Sequence, residues 1–211
     1  MSAHAPLPAR AICAQCQRPQ SACICAWIAP VVSQARLLIL QHPMEVAHAK
    51  GSARLLHLSV AGSMLVAGET FAADTLHALL TQEGRSALLL YPELAGEAAL
   101  GLASPAPLAP GLTADPTRIL LVVLDATWRK SRKMLYLNPQ LQALPRLPLR
   151  APPPSNYLIR KAHAPNQLST LEASCHALAQ LENAPARYAP LLDSFGRFVA
   201  CYQNTGGTLA R

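Results

Sequence analysis

Three short apolar runs predict the framework of this chain, and each of them ends abruptly at polar residues or a proline. Continuous apolar runs of this length are typical of strands that are buried on both faces, as in a parallel sheet. A weaker run suggests a fourth strand. The predicted strands are Arg36–Leu40, Ser63–Ala67, Ala87–Tyr91 and Ile119–Leu124.

Helical patterns separate these strands and follow the last of them. We expect Asp74 to cap one helix, and Ser169 and Glu172 have the spacing of a capping box that begins another. Frequent prolines predict a mostly extended course for Asn138–Pro154. The predicted helices are Val46–Leu58, Asp74–Glu83, Leu171–Leu181 and Arg187–Tyr202, with a short one near Gly96–Leu100.

Strands that alternate with helices indicate an α/β fold with a mainly parallel sheet flanked by helices. Ligands of such sheets usually lie beyond the carboxyl ends of the strands. Gln41–His42, Tyr91–Glu93 and Asp125–Trp128 each follow a predicted strand, so we expect them to share one rim. The alternative for Asp125 is a helix N-cap that accepts hydrogen bonds from amides two or three residues later.

Composition places the chain among compact globular proteins. Apolar residues make up 51% of its 211 residues and the mean hydropathy is +0.20, which favours one main domain. No apolar run reaches the length of about 18 residues that a membrane span needs. Residues 1–10 lack the hydrophobic core of a signal peptide. We therefore expect a cytoplasmic protein with no membrane partner.

The charge is strongly asymmetric. The net charge of +7 favours a polyanionic partner. No acidic residue lies between Asp125 and Glu172. We interpret this basic segment as a surface that binds a phosphate backbone, because an ordinary solvated face usually mixes charges of both signs. The cations in it are Arg129, Lys130, Arg132, Lys133, Arg146, Arg150, Arg160 and Lys161.

Four cysteines lie close together near the N-terminus, as two pairs separated by a short loop. Thiolates at such spacings can converge on one tetrahedral ion, and zinc is the expected one. Two disulfides are the alternative, although they are uncommon in a cytosolic chain. The predicted ligands are Cys13, Cys16, Cys23 and Cys25, in a small module over residues 1–30 that precedes the main domain over 31–211.

An ordered set of motifs resembles the DTW-domain family. Its Asp-x-Thr-Trp signature is matched by Asp125-Ala126-Thr127-Trp128, and the resemblance extends over roughly residues 12–182. The other matching motifs are the cysteine cluster with Pro19, Gln41–Glu45, Leu90–Pro92, Lys133–Met134, Tyr157–Arg160 and Leu168–Ala173.

The family is similar to bacterial tRNA-uridine aminocarboxypropyltransferases, whose fold resembles the SPOUT class, with a C-terminal knot. The resemblance implies transfer of the 3-amino-3-carboxypropyl group from S-adenosylmethionine to N3 of a tRNA uridine, expected in the variable loop. The second product would be methylthioadenosine. An RNA methyltransferase of SPOUT type and a non-catalytic, zinc-stabilised RNA-binding protein are the two rival functions. The oligomeric state, monomer or homodimer, stays open.

The resemblance also implies roles for individual residues. Asp125 is the candidate general base, Thr127 a hydrogen-bond donor and Trp128 a stacking platform. The expected cofactor-binding residues are Leu90, Tyr91, Pro92, Asp125, Arg160, Ser169, Thr170 and Glu172, where Glu172 has helix capping as its alternative role. The expected tRNA contacts are Arg129, Lys130, Arg132, Lys133, Arg146, Arg150 and Lys161.

Overall fold

The computed structural model of the chain describes residues 11–48, 51–92, 102–150, 154–155 and 168–204. Within them, four strands form one sheet in the order β2-β1-β4-β3, and all neighbouring strands are parallel. The predicted parallel sheet is confirmed, and each strand begins and ends within two residues of its predicted position. The strands are β1 (Arg36–Gln41), β2 (Met64–Ala67), β3 (Ser86–Leu89) and β4 (Ile119–Asp125).

Helices flank the sheet. No helix in the described part of the chain has both the length and the apolar character needed to cross a lipid bilayer. The helices are α1 (Pro43–Val46), α2 (Ala53–Ser59), α3 (Ala73–Leu80), α4 (Trp128–Leu137), α5 (Pro139–Gln142), α6 (Thr170–Glu182) and α7 (Pro185–Asn204). Short 3₁₀ turns occupy Gln20–Ala22, Cys25–Trp27, Gln82–Gly84 and Pro116–Arg118.

Two helix predictions and the prediction of an extended segment need correction. The single helix predicted over Val46–Leu58 is two short helices, α1 and α2, in the structure. Ala72 precedes α3 as its N-cap, so Asp74 lies in the first turn and is not the cap. The segment after α4 is not wholly extended, because Pro139 begins α5; proline suits the first helical turn, where its missing N–H costs no hydrogen bond. The helix predicted near Gly96–Leu100 lies outside the described residues.

The sheet separates two apolar cores because successive side chains of a strand point to opposite faces. Leu37 of β1 and Leu121 of β4 belong to the core that contains α6 and α7, together with Cys16 and Ile24 of the N-terminal segment. The opposite core contains side chains of α3, α4 and α5. The predicted division of the chain into a module over residues 1–30 and a domain over 31–211 stays a prediction.

β1 and β4 are the two central strands, and they end together. Gln41 and Asp125, the last residues of these strands, are register partners. Gln41 is 5% exposed and Asp125 is 4% exposed, so two polar side chains are buried at the carboxyl edge of the sheet. Buried polar groups are costly unless they are hydrogen-bonded, which makes their partners informative.

Candidate active site and metal-binding cluster

The carboxylate of Asp125 is held between two other elements. Gln41 Nε2 donates a hydrogen bond to Oδ2 at 2.8 Å, and Thr170 Oγ1 donates one to Oδ1 at 2.6 Å. The backbone N–H of His42 also donates to the Asp125 carbonyl at 3.0 Å. Asp125 thus connects the ends of β1 and β4 with the start of α6, at the rim that the sequence predicted.

The N-cap of α4 is Thr127 and not Asp125. The Thr127 hydroxyl accepts a hydrogen bond from the backbone N–H of Lys130 at 3.4 Å. This cap satisfies one of the amides that a helix leaves unpaired at its start. The alternative in which Asp125 serves only as the N-cap is therefore wrong, and its carboxylate is directed to Gln41 and Thr170.

A cavity of about 550 Å³ lies where β3 and β4 end. Its volume is within the range of small-molecule sites, about 300–1,000 Å³. It is lined by Leu124 and Ala126, which flank Asp125 in the chain, and by Thr170, which donates to Asp125. The other lining residues, mostly apolar, are Leu90, Tyr91, Pro92, Val123, Trp128, Ser131, Leu147, Pro148, Leu149, Leu168, Ser169 and Ala173.

The cavity gathers most of the residues that the sequence assigned to a cofactor site. Leu90, Tyr91 and Pro92 line it after β3, and Ser169 and Thr170 line it at the start of α6. Arg160 lies outside the described residues. Sequence reasoning missed the wall formed by 147–149, because that segment is placed by its pairing with Leu89 of β3 and by hydrogen bonds to Gln180 of α6, which no local pattern reveals.

Two aromatic rings meet at the cavity. The rings of Trp128 and Tyr91 are arranged edge to face, with centroids 5.6 Å apart and planes at 70°. Tyr91 is 4% exposed, whereas Trp128 is 46% exposed although it is large and apolar. A supported but exposed indole is suited to stacking on a planar ring.

Arg146 occupies a different place from the one expected. It is 3% exposed, and its Cζ lies 5.1 Å from the centroid of the Tyr91 ring, a cation–π distance. Its neighbours in the chain pair with Leu89, since Leu89 N donates to Pro145 O and Leu147 N donates to Leu89 O. The expectation that Arg146 lies on the exposed basic face is corrected by this burial.

The start of α6 is stabilised by the predicted capping box. Ser169 Oγ accepts a hydrogen bond from Glu172 N at 3.2 Å, and Glu172 Oε2 accepts one from Ser169 N at 2.8 Å. Glu172 Oε2 also accepts from Ser155 Oγ at 2.8 Å. The capping role of Glu172 is therefore confirmed. The positive end of the α6 dipole lies at the cavity, where it favours a negatively charged group.

The basic interval is partly neutralised by acids from elsewhere in the chain. Lys130 Nζ lies 3.0 Å from a carboxylate oxygen of Glu45, and Lys133 Nζ lies 3.0 Å from one of Glu69. The sequence suggested that these cations were uncompensated, which is wrong because the fold brings acids to them across many residues. Arg129, Arg132 and Arg150 are exposed, and Lys161 lies outside the described residues.

Glu69 connects two parts of the rim. Its carboxylate accepts hydrogen bonds from Lys133 and from Nε2 of His42 at 3.0 Å. His42 Nδ1 accepts from Met44 N at 3.1 Å, which assigns the ring proton to Nε2. The hydrogen bonds from Lys133 and then His42 lower the pKa of Glu69, because both stabilise its charged form.

The four N-terminal cysteines converge as predicted. Their sulfur atoms all lie within 4.8 Å of one another, with 3.6 Å between Cys13 and Cys25 and 3.8 Å between Cys16 and Cys23. Four thiolates around one tetrahedral zinc ion, at about 2.3 Å each, would be about 3.8 Å apart. All four cysteines are free, so the disulfide alternative is wrong. The cluster fits a metal ion.

The pKa shifts within the cluster go in both directions, because burial and the contact with the Cys13 sulfur raise the pKa of Cys25 whereas that of Cys13 is lowered. Hydrogen bonds from the backbone N–H groups of Cys16 and Gln15 lower the pKa of the Cys13 thiol to about 6. A thiol with this pKa is mostly deprotonated at neutral pH, which is the form that binds metal. Cys175 lies apart from the cluster, buried in α6.

Curated proteins similar to this chain carry one name. The chain is 31% identical over 180 residues to "tRNA-uridine aminocarboxypropyltransferase 2" of Drosophila melanogaster, covering 82% of this chain and 67% of that protein. It is 29% identical to the Macaca fascicularis protein of that name, covering 84% of this chain and 58% of the relative. The Mus musculus protein is 28% identical, with 81% and 56% covered.

These relatives are transferases by name, and the chain spans between about half and two thirds of their length. No solved structure matched the chain with significance. The DTW domain matches residues 10–203, which includes the sheet, the cysteine cluster and the rim around Asp125. The chain therefore belongs to the DTW-domain family.

Proposed function

We propose that this protein transfers the 3-amino-3-carboxypropyl group of S-adenosylmethionine to N3 of a uridine in tRNA. The N3–H proton is removed, N3 forms a bond to Cγ of the transferred group, and the bond from Cγ to sulfur breaks. The sulfur keeps the electron pair of that bond, so the positively charged sulfonium becomes the neutral thioether of methylthioadenosine.

The observation that carries this proposal is the position of one buried carboxylate beside a cavity of suitable size. Asp125 lies between two residues that line the 550 Å³ cavity and accepts a hydrogen bond from a third. A cofactor with an adenine ring, a cation and a carboxylate fits these walls by its chemistry. The apolar residues and Trp128 suit the adenosine, Asp125 suits the sulfonium, and the start of α6 suits the carboxylate.

Asp125 is proposed as the group that accepts the N3 proton. The donors on its two oxygens, Gln41 and Thr170, fix the plane of the carboxylate without adding charge. Each oxygen has more than one lone pair, so a further proton can approach a bonded oxygen. Thr127 and Trp128 would then orient uracil or adenine by a hydrogen bond and by stacking.

The cofactor-binding roles expected from the sequence are retained as part of the proposal. Tyr91 and its neighbours Leu90 and Pro92 would form one wall, and Ser169 with Thr170 the opposite one. Glu172 would act through the capping box that shapes the start of α6. Arg160 is proposed as a partner of a carboxylate or phosphate.

The RNA partner is proposed to be tRNA, with its variable loop presented to the rim. Arg129, Arg132 and Arg150 offer exposed charges to the phosphate backbone. Lys130 and Lys133 would contribute less electrostatic attraction, because each is already paired with a carboxylate. Arg146 would act by supporting Tyr91, and Lys161 is retained as a further backbone contact.

The cysteine cluster is proposed to hold a structural zinc ion. The near-tetrahedral sulfur spacing supports this assignment, and four protein thiolates leave no open position for a substrate. The SPOUT-like classification, the C-terminal knot, the two-domain division and a cytoplasmic location stay predictions.

The test is the by-product of the cofactor. Purified protein is incubated with unmodified tRNA and S-adenosylmethionine, and the nucleosides released from the cofactor are separated by chromatography. We expect methylthioadenosine in amounts that depend on tRNA. S-adenosylhomocysteine without methylthioadenosine would instead identify a methyltransferase. The absence of both compounds would favour the non-catalytic RNA-binding function.

A further inference from the structure

A second, smaller cavity of about 180 Å³ lies between the cysteine module and the loop that joins α1 to α2. Charged side chains form part of its walls. Arg18 of the module and Arg54 of α2 both line it, and so does Gln41, whose amide is hydrogen-bonded to Asp125. The small cavity therefore adjoins the candidate catalytic carboxylate through a single side chain.

The two arginines are arranged differently. Arg18 Nη2 donates to the carbonyl of His48 at 3.0 Å, which fixes its side chain across the cavity wall. Arg54 is half-buried and forms no hydrogen bond or ion pair within the described parts of the chain. A half-buried guanidinium without a counter-ion is unfavourable, and a bound anion would supply the missing partner.

Two other lining residues bear on this charge: Cys16 belongs to the proposed zinc site, and Glu45 is an acid. Glu45 is the acidic lining residue, and its carboxylate is already paired with Lys130 at 3.0 Å. Of the two guanidinium groups, that of Arg54 is the one left without a counter-ion in the described part of the chain. Guanidinium groups bind phosphate oxygens through paired hydrogen bonds, which makes phosphate the anion of best fit.

We propose that this cavity binds a backbone phosphate of the RNA substrate close to the reacting uridine, with Arg18 and Arg54 as its ligands. The inference rests on the proposed action on tRNA. A base that reaches Asp125 must bring its own phosphates to the same edge of the sheet, and the cavity lies on that edge. The cysteine module would then have a direct function in RNA binding, because it presents Arg18.

The experiment measures tRNA binding by fluorescence anisotropy as a function of salt. Arg54→Gln and Arg18→Gln are compared with the wild type. Arg118→Gln is the matched control, since Arg118 is exposed in the 3₁₀ turn before β4, at the opposite edge of the sheet. Arg54→Lys keeps the charge but loses the planar guanidinium, and it reveals any effect that is due only to misfolding.

Each Gln variant of the cavity should reduce the slope of log K against log salt by about 0.7–0.9. Its tRNA affinity should fall severalfold at low salt, while its affinity for S-adenosylmethionine stays unchanged. Arg54→Lys should retain the wild-type slope with weaker binding, and Arg118→Gln should behave as the wild type. Equal slopes for the cavity variants, the control and the wild type would overturn the proposal.

A calorimetric titration with inorganic phosphate shows whether the small cavity binds a backbone phosphate of RNA or a free anion. Phosphate binding that is lost in Arg54→Gln, without a change in the tRNA slope, would assign the cavity to a free anion and contradict our inference. Failure of the proposed transfer reaction has a different signature, namely the absence of methylthioadenosine with the wild-type protein.

Discussion

Asp125 is the residue on which the proposed chemistry depends. Its carboxylate is buried at the end of β4, where Gln41 and Thr170 each donate a hydrogen bond to one of its oxygens. Neutral donors orient a carboxylate without cancelling its charge. Both oxygens keep further lone pairs, which can face a sulfonium or accept a proton.

Asp125→Asn removes the charge and the basic oxygen but keeps the size of the side chain. We expect at least about a 100-fold loss of product formation, the scale of a lost general base. Affinity for tRNA should change less than about threefold, because the phosphate contacts are made by other residues. Asp193→Asn, at an exposed position of α7, is the control. Equal loss of binding and product would contradict a catalytic role.

Gln41→Leu removes the donor to Asp125 Oδ2 and leaves a buried carboxylate oxygen without that partner. The free energy of unfolding should fall by about 1–3 kcal/mol, the cost of losing one partner of a buried polar pair. Chemical denaturation measures this change. Gln140→Leu removes a hydrogen bond at the surface, to the carbonyl of Ala73, and should cost less than about 0.5 kcal/mol. Similar costs for both variants would refute the supporting role of Gln41.

At the scale of elements, the rim depends on contacts between segments that are far apart in the chain. Glu69, after β2, bonds to Lys133 of α4 and to His42 before α1. Glu45 of α1 pairs with Lys130 of α4. These bridges fix the first turns of α4, and with them Trp128, relative to the end of β1.

The Glu69 bridges should depend on pH. The pKa of Glu69 is lowered in the folded protein, so its stabilising effect is present above the ordinary pKa of 4.5 and is lost as the pH falls through the lower folded value. Glu69→Gln should therefore lower Tm relative to the wild type at pH 7, and the difference should shrink below pH 4.5. Thermal melts across this range measure it. A difference that is constant with pH would exclude the ion pairs as its cause.

Removal of the metal is predicted to loosen the cysteine module. Elemental analysis of freshly purified protein should find about one zinc per chain, as for a four-thiolate site. Cys13→Ser should lower the zinc content and Tm, whereas Cys201→Ser should retain the zinc because Cys201 lies in α7, apart from the cluster. Protein that is free of zinc before any chelation would contradict the assignment.

The strands and their ends could be predicted because they depend on the local pattern of apolar and polar residues. An uninterrupted apolar run predicts β4, and the first polar residue after it predicts Asp125 at the rim. Partners that depend on tertiary contacts could not be predicted in this way. Lys130 meets an acid 85 residues away and Lys133 one 64 residues away, so the acid-free interval overstated the exposed charge. The burial of Arg146 follows from pairing with β3, which leaves no sequence signal.

At the scale of the whole molecule, one edge of the sheet gathers the functional groups. Thr170, which donates a hydrogen bond to Asp125, lines the 550 Å³ cavity. Gln41, which also donates to Asp125, lines the 180 Å³ cavity. Parallel strands end at the same edge, which brings residues from distant parts of the chain together. We propose that the larger cavity holds the cofactor and the smaller one holds the RNA backbone.

The most direct test of this arrangement is mass spectrometry of the nucleosides from tRNA that has been incubated with the protein and S-adenosylmethionine. We predict uridine carrying a 3-amino-3-carboxypropyl group on N3, formed by the wild type and not by Asp125→Asn. Methylated uridine would contradict the proposed transfer. So would unmodified uridine after incubation with protein that retains its active-site residues and its metal.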